Sequence, residues 1–336
     1  MYSANFDYHR AKSLADAQKL LAANPGAKLL AGGHSLIPLM KLRLASPSAL
    51  VDIGRISELR GISRSGDTIR IGSLTTHAEI AASADVQKSA AALAEAAGLV
   101  GDPAVRSRGT IGGNVAHADP ASDLPTVLVA LDARIVAVGP KGERTIAADG
   151  FFTGIMSTAL ADDEVVTAIV VPASVPGQGS AYVKFSHPAS RYAVIGAAAS
   201  VTVAKNTCSA ARVALGGLLP HASRAKAVEK ALTGKPLDTA SIAAAAAAMA
   251  RFTYTGATAV RYAAEAKMSP VTSSPRSDPT AAAAAEIDAV SRGLPVSAFS
   301  TAFARLACGS SPPSAIRAAE HLPLAAVTDA AAPMTA

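Results

Sequence analysis

Two glycine pairs set among hydroxyl and amide side chains are the residues of this chain best suited to chemistry: AGGHS at Ala31–Ser35 and TIGGN at Thr110–Asn114. A residue without a Cβ lets a ligand approach the backbone, and successive N–H groups in a turn form a concavity that holds anions. The natural reading is a diphosphate, and hence a dinucleotide site. The first pair leaves an expected strand, Ala27–Leu30, and enters Leu36–Leu44, which is apolar at helical spacing with Lys41 and Arg43 interspersed. Amides near a helix start can hold phosphate oxygens without a formal cation. The familiar nucleotide motifs are excluded: no third glycine completes GxGxxG after Gly32 and Gly33, and GxxxxGKS/T is absent.

A glycine pair by itself is more often a tight turn. The company of these two changes the reading. The second sits in RSRGTIGGNVAHADPASDLP, where Arg106, Arg108, Thr110, Asn114, His117, Asp119, Ser122 and Asp123 crowd polar groups between apolar segments. Between the pairs, GSLTTHAEI adds Thr75, Thr76 and His77 after an alternating segment, Thr68–Ile71. Thr75, His77 and Arg106 are therefore candidate cofactor contacts. A lone histidine such as His34 or His77 is more often a packing or hydrogen-bonding residue than a base, and no residue here is assigned a catalytic role. With two cysteines and no CxxC, the seven histidines show no metal-ligand spacing, so neither a metal nor an iron–sulfur cluster is expected on this chain.

Taken in order, AGGHSLIPLMKLRL, GSLTTHAEI and RSRGTIGGNVAHADPASDLP resemble the FAD-binding medium subunit of the molybdenum hydroxylases. The likeness is greatest to the carbon monoxide dehydrogenase type, with the flavin domains of xanthine dehydrogenase and aldehyde oxidase behind it. It begins at FDYHRAKSLADA and continues to about Ala250.

The resemblance implies an α+β fold: a two-lobed FAD-binding domain of the vanillyl-alcohol oxidase and p-cresol methylhydroxylase type, then a smaller C-terminal α/β domain. It implies that Ala31, Gly32, Gly33, His34, Ser35 and Leu36, together with Thr110, Ile111, Gly112, Gly113 and Asn114, contact the FAD diphosphate. By the same comparison Asp123 matches a residue on the cofactor's sugar or ribityl hydroxyls, while Lys184 and Tyr192 match groups near the isoalloxazine. A cation there would favour an anionic reduced flavin, and an aromatic ring can cover a flavin face. From the residues alone, Lys184 is equally an ordinary solvated lysine and Tyr192 a core tyrosine.

The implied function is electron transfer within a heterohexameric, molybdenum-containing hydroxylase or dehydrogenase. A large molybdopterin-binding partner oxidises substrate, a small partner carries two 2Fe–2S clusters, and FAD on this chain passes electrons to NAD, a quinone or dioxygen. One alternative is a free-standing flavin oxidase or reductase of the same FAD-binding superfamily. That would need a substrate pocket with a proton donor and cationic anchors, and no compact cluster of that kind is visible. Another is a non-catalytic assembly module whose glycine pairs merely turn.

Composition fits these expectations. The chain has 336 residues, half of them hydrophobic, which suffices for two cores. Its net charge of +6 is spread without basic runs or interleaved aromatics, so nucleic-acid binding is not expected. No apolar run reaches membrane-spanning length and the N-terminus resembles no export signal, which makes the cytoplasm the expected location.

The positioning elements follow from periodicity. Ser13–Ala23 reads as an amphipathic helix, Lys28–Leu30 and Leu50–Ile53 as short strands, and Ala81–Leu99 as one alanine-rich helix leading to the second pair. Arg134–Val138 and Glu164–Val171 read as strands, and VPASVPGQG, with Pro172 and Pro176, as a linker. Strands are expected at Ala181–Phe185, Ala197–Ala204 and Ser209–Gly216, and helices at Ala222–Leu232 and Thr239–Ala250. Domain limits follow: 1–175 for FAD, with lobes at about 1–57 and 58–175, and 178–268 for the C-terminal domain.

From Ser269 to Ala336 the chain contains no Lys, Asn, Gln, Tyr or Trp, and Ala, Ser and Pro dominate. A disordered or weakly helical tail is expected there. The family resemblance stops short of it, because the closing helix with its tyrosine and arginine is missing. A shift of reading frame near residues 240–267 is the alternative account.

Overall fold

A computed structural model describes residues 2–245 except 218, 239 and 243. Most of the expected helix Thr239–Ala250, the closing segment, the 269–336 tail and the reading-frame alternative lie outside the described residues. The described residues divide into two units, one of 2–200 with Arg212–Arg224, the other of Val201–Ala211 with the described residues from Ala225 on.

In the first lobe, three parallel strands lie in the order Asp7–Arg10, Ala49–Asp52, Lys28–Leu30. Parallel neighbours need a crossover, and the helix Leu14–Ala23 supplies it between the first two strands in sequence. Ser13 starts that helix by accepting the Asp16 N–H at 3.2 Å. Ala17, Val51, Ile53, Ile56, Leu59 and Leu74 form its core. The middle strand, ALVD, is an apolar run because it is buried on both faces.

The second lobe is built on five strands in the order Ile62–Ser65, Thr68–Gly72, Val165–Pro172, Arg134–Gly139, Gly142–Ala147. Each pairing is antiparallel, with a bulge between Val166 and Ala168. Helices cover this sheet, and the core they share with it includes Ile69, Ile71, Leu93, Ile111, Leu124, Leu128 and Ile169. The helix expected over Ala81–Leu99 is instead three: His77–Ala82, Ala84–Ser89 and Ala91–Leu99. Ser83 sits in extended backbone and its hydroxyl caps the Val86 N–H, a local bond that competes with helix continuation. A second break falls at Ala90, whose backbone is also non-helical.

A further sheet has the order Gln178–Ser186, Ala193–Ala204, Thr207–Gly216, Ser223–Arg224. Two expectations shift here. Gln178–Ser186 begins earlier than the predicted strand, and the helix predicted from Ala222 begins only at Lys226, because Ser223 and Arg224 pair with Leu215 and Ala214. In the second unit, Cys208 donates its N–H to the Lys235 carbonyl and accepts from Gly234, tying the strand to the end of the helix Lys226–Leu232. Among the described residues, no helix is long and apolar enough to cross a membrane.

Candidate functional site

The strand Lys28–Leu30 delivers the first glycine pair to the mouth of a cavity of about 1190 Å³. Gly33 turns the chain at φ +75°, a conformation that glycine alone adopts freely, and its carbonyl accepts the Ile37 N–H at 3.0 Å to start the helix Leu36–Lys41. That helix is shorter than the Leu36–Leu44 expected, because Arg43 takes a left-handed backbone at φ +59°. The backbone N–H groups of Gly32, Gly33, His34, Ser35 and Leu36 donate to no protein group among the described residues. Five adjacent donors left open at a cavity wall are groups that an anion could satisfy.

The second pair behaves differently. Thr110 caps the helix Ile111–His117, and the four amides that open it are spent inside the protein. Ile111 donates to the Thr75 carbonyl at 3.0 Å, Gly112 to the Ser73 carbonyl at 2.8 Å, Gly113 to Thr110 Oγ1 at 3.2 Å, and Asn114 to the Thr110 carbonyl at 3.0 Å. The expected row of free amides is therefore absent from this motif. A Cβ on Gly112 would sit 2.5 Å from Ser73 Cβ, so this glycine serves helix packing. A Cβ on Gly32 would sit 2.3 Å from the Arg108 carbonyl, so Gly32 lets the two motif-bearing segments cross. Gly113 lines the cavity, and the Asn114 side chain accepts the Ser122 hydroxyl at 2.8 Å on its oxygen, leaving its amide nitrogen open.

The cavity brings Ala31–Leu36, His77, Thr110, Gly112, Gly113, Asn114, Asp123, Lys184 and Tyr192 to one wall system. Thr75, Arg106 and Ile111 do not line it. Thr75 Oγ1 donates to the Gly61 carbonyl and accepts the Gly61 N–H, both at 3.1 Å. Arg106 reaches the carbonyls of Val100 at 3.0 Å and Gly101 at 3.1 Å, and Ile111 is core.

Asp123 opens the helix Asp123–Ala130 and is buried. Its Oδ1 accepts the Tyr182 hydroxyl at 2.6 Å and its Oδ2 accepts Lys184 Nζ at 2.8 Å. Lys184 also donates to the Leu99 carbonyl at 3.2 Å, and its side chain is only 4% exposed. Lys184 is thus neither a solvated lysine nor a free cation but half of a buried ion pair. Burial pushes the Asp123 carboxyl above its ordinary range, with Lys184 and then Tyr182 opposing the rise. Burial and the neighbouring carboxylate hold the Tyr182 phenol well above its usual value, so it remains a donor. Carboxylate lone pairs not used by these partners are available to hydroxyl groups of a ligand.

Tyr182 was not anticipated. Residues i and i+2 of a strand share a face, so Tyr182 and Lys184 in AYVKF point the same way. Gly196 on the next strand makes room, since a Cβ there would lie 2.5 Å from the Tyr182 hydroxyl.

His77 is buried, and burial lowers its pKa to about 4, with His34 and then Arg106 adding to the effect. The ring is neutral at physiological pH and its Nδ1 has no hydrogen-bond partner among the described residues, while the backbone N–H of His77 donates to the Gly109 carbonyl at 3.1 Å. Tyr192 stays half exposed at the rim, its phenol raised first by burial and then by Asp119 and Asp123. No cluster of three or more His, Cys, Asp or Glu able to hold a metal occurs among the described residues.

The family model described as the FAD binding domain in molybdopterin dehydrogenase matches residues 4–174, and the CO dehydrogenase flavoprotein C-terminal domain matches residues 180–274. The carbon monoxide dehydrogenase medium chain of Hydrogenophaga pseudoflava is 45% identical over 247 residues, covering 73% of this chain and 86% of that one. The xanthine dehydrogenase FAD-binding subunit of Escherichia coli O157:H7 is 34% identical over 234 residues, covering 69% of this chain and 80% of that one. Among solved structures, quinoline 2-oxidoreductase from Pseudomonas putida 86 superimposes with a TM-score of 0.74 at 29% identity, covering 95% of this chain and 99% of that chain.

Proposed function

Because the chain belongs to the family of FAD-binding medium subunits of molybdenum hydroxylases, we propose that its cavity holds FAD as an electron-transfer site within such a complex. The open donors of Gly32–Leu36 carry this reading, because they lie where a diphosphate would replace the missing partners. Bound FAD would supply two-electron and one-electron chemistry between the 2Fe–2S clusters of a small partner and an external acceptor such as NAD, a quinone or dioxygen.

The chain's own residues bind, orient and shield. Gly33 and Gly113 permit close backbone approach, and Asn114 offers its amide nitrogen. Asp123, held by Tyr182 and Lys184, presents its remaining lone pairs to sugar or ribityl hydroxyls. Tyr192 covers the rim, and the backbone N–H of His77 braces the segment that carries the second glycine pair. Substrate oxidation falls to a large molybdopterin-binding partner, so this chain needs no acid or base of its own. The same reading takes 1–175 as the FAD-binding domain, 178–268 as the C-terminal domain, and a cytoplasmic heterohexamer as the working assembly.

The test is the absorbance spectrum of the chain, purified alone and with the large and small subunits co-expressed, with and without added FAD. A stoichiometric flavin spectrum in the assembled complex is expected. A complex that assembles without flavin would overturn the assignment, and turnover by the isolated chain would favour a free-standing enzyme.

A further inference from the structure

The strands Gln178–Ser186 and Ala193–Ala204 are joined by six residues, His187–Tyr192, and four of these, Ala189–Tyr192, line the cavity. This loop is exposed, so its backbone has water as a competitor for every hydrogen bond. Its donors are nonetheless accounted for inside the loop. Pro188 has no N–H. The Ala189 and Ser190 N–H groups both point to His187 Nδ1, at 3.3 and 3.2 Å. Arg191, at φ +59°, donates to the His187 carbonyl at 2.8 Å, and Tyr192 donates to Ser190 Oγ at 3.4 Å. His187 closes the circuit by donating its own N–H to the Tyr192 carbonyl at 2.8 Å.

We propose that His187 is a positioning residue for the cofactor cavity, its imidazole acting as the acceptor that folds the loop and fixes Tyr192 at the rim. A ring nitrogen receiving two N–H donors must present its lone pair, which places the ring proton on Nε2. The arrangement is the one an Asx turn makes, in which a side-chain oxygen accepts the N–H groups two and three residues on. The two bonds of the His187 backbone, its carbonyl to Arg191 and its N–H to Tyr192, are ones that any residue at this position could keep, and the Tyr192 bond to Ser190 Oγ does not involve position 187. The side-chain acceptor is what the identity of His187 adds. That the rim encloses FAD rests on the function proposed above, whereas the folding of the loop does not.

The Asx analogy defines the test. Asparagine at this position retains an acceptor at the right separation, and alanine retains none. Arg191 is a tryptic site inside the loop, so cleavage of the Arg191–Tyr192 bond in the full chain, co-purified with its partners, reports loop opening by mass spectrometry. His187→Ala is expected to speed cleavage there about tenfold, the change that one to two net hydrogen bonds make to a local opening equilibrium, with other sites unchanged. His187→Asn is expected to stay within about twofold of the parent. In FAD-loaded protein, iodide quenching of flavin fluorescence should rise in the alanine variant and return to the parent value in the asparagine variant. Equal cleavage in all three proteins, or equal acceleration in both variants, would overturn the acceptor role. If the parent complex takes up no flavin, the cofactor reading fails and the cleavage ratio alone decides the role of His187.

Discussion

Replacing Lys184 by methionine removes the cation from a nearly buried carboxylate at the cavity wall. Both side chains of the pair are about as buried as core residues, at 4% and 5% exposure, and 2.8 Å apart. Breaking such a pair from one side costs about 3–5 kcal/mol, because the remaining charge is stranded. Here each partner keeps one further bond, Asp123 to Tyr182 and Lys184 to the Leu99 carbonyl, which argues for the lower end. Lys184→Met and Asp123→Leu should each cost about 3 kcal/mol. The double variant strands no charge and removes the partners only of the Tyr182 hydroxyl and the Leu99 carbonyl, a loss of about 1–3 kcal/mol. The double should therefore cost about 3 kcal/mol or more less than the sum of the singles. The pH dependence has a definite sign. Burial raises the Asp123 pKa, and without Lys184 nothing cationic opposes it. Between the unfolded and folded pKa values the folded state then binds more protons, so the destabilisation of Lys184→Met grows as pH rises through that window and eases as pH falls. The assay is urea unfolding by circular dichroism at pH 5 and pH 8, since the chain has no tryptophan to report fluorescence. Additive single effects, or single variants within about 1 kcal/mol of the parent, would refute the buried-pair argument.

The other predictions follow from individual atoms at the same site. His77 should titrate near pH 4, and because the unfolded ring binds its proton near 6.5, stability should be full above that value and fall by about 3 kcal/mol as pH drops through the window between them; a ring midpoint above 6 by NMR would contradict this. Gly33→Val and Gly32→Ala should fail in different ways. The first forces a β-branched residue to φ +75° and costs roughly 1–3 kcal/mol while abolishing flavin retention; the second drives a Cβ into the Arg108 carbonyl and should lower unfolding temperature even without FAD. Normal flavin content in Gly33→Val, or an unchanged unfolding temperature in Gly32→Ala, would contradict them. Tyr182→Phe removes a 2.6 Å bond to Asp123 and should cost about 1–3 kcal/mol in urea unfolding, with no loss expected if the carboxylate were already satisfied by Lys184.

Much of the fold was legible because its signals are local. Ser13 and the apolar spacing behind it mark a helix start, and the apolar run ALVD marks a strand buried on both faces. The breaks inside Ala81–Leu99 were not read, although Ser83 is a residue type that caps helices; alanine-rich periodicity continues through it, and only the packing that buries Ala90 settles the second break. The helix Lys226–Leu232 starts later than its periodicity predicts for a similar reason, since Ser223 and Arg224 owe their extended form to pairing with Leu215 and Ala214 on the preceding strand.

The two glycine pairs, their polar neighbours and the order of the motifs are properties of the sequence, and they suffice to suggest a dinucleotide site and to identify the family. Which glycine does what was decided by tertiary structure alone. Gly33 turns the chain beside open amides, Gly32 and Gly112 admit neighbouring backbone, and the amides after Thr110 are consumed internally. Likewise Asp123 and Lys184, 61 residues apart, meet only because a helix and a strand pack together, and burial turns two ordinary surface residue types into a coupled pair. Backbone conformation follows from near neighbours in the chain, whereas hydrogen-bond satisfaction and desolvation depend on which distant segments exclude water, and no local pattern encodes that.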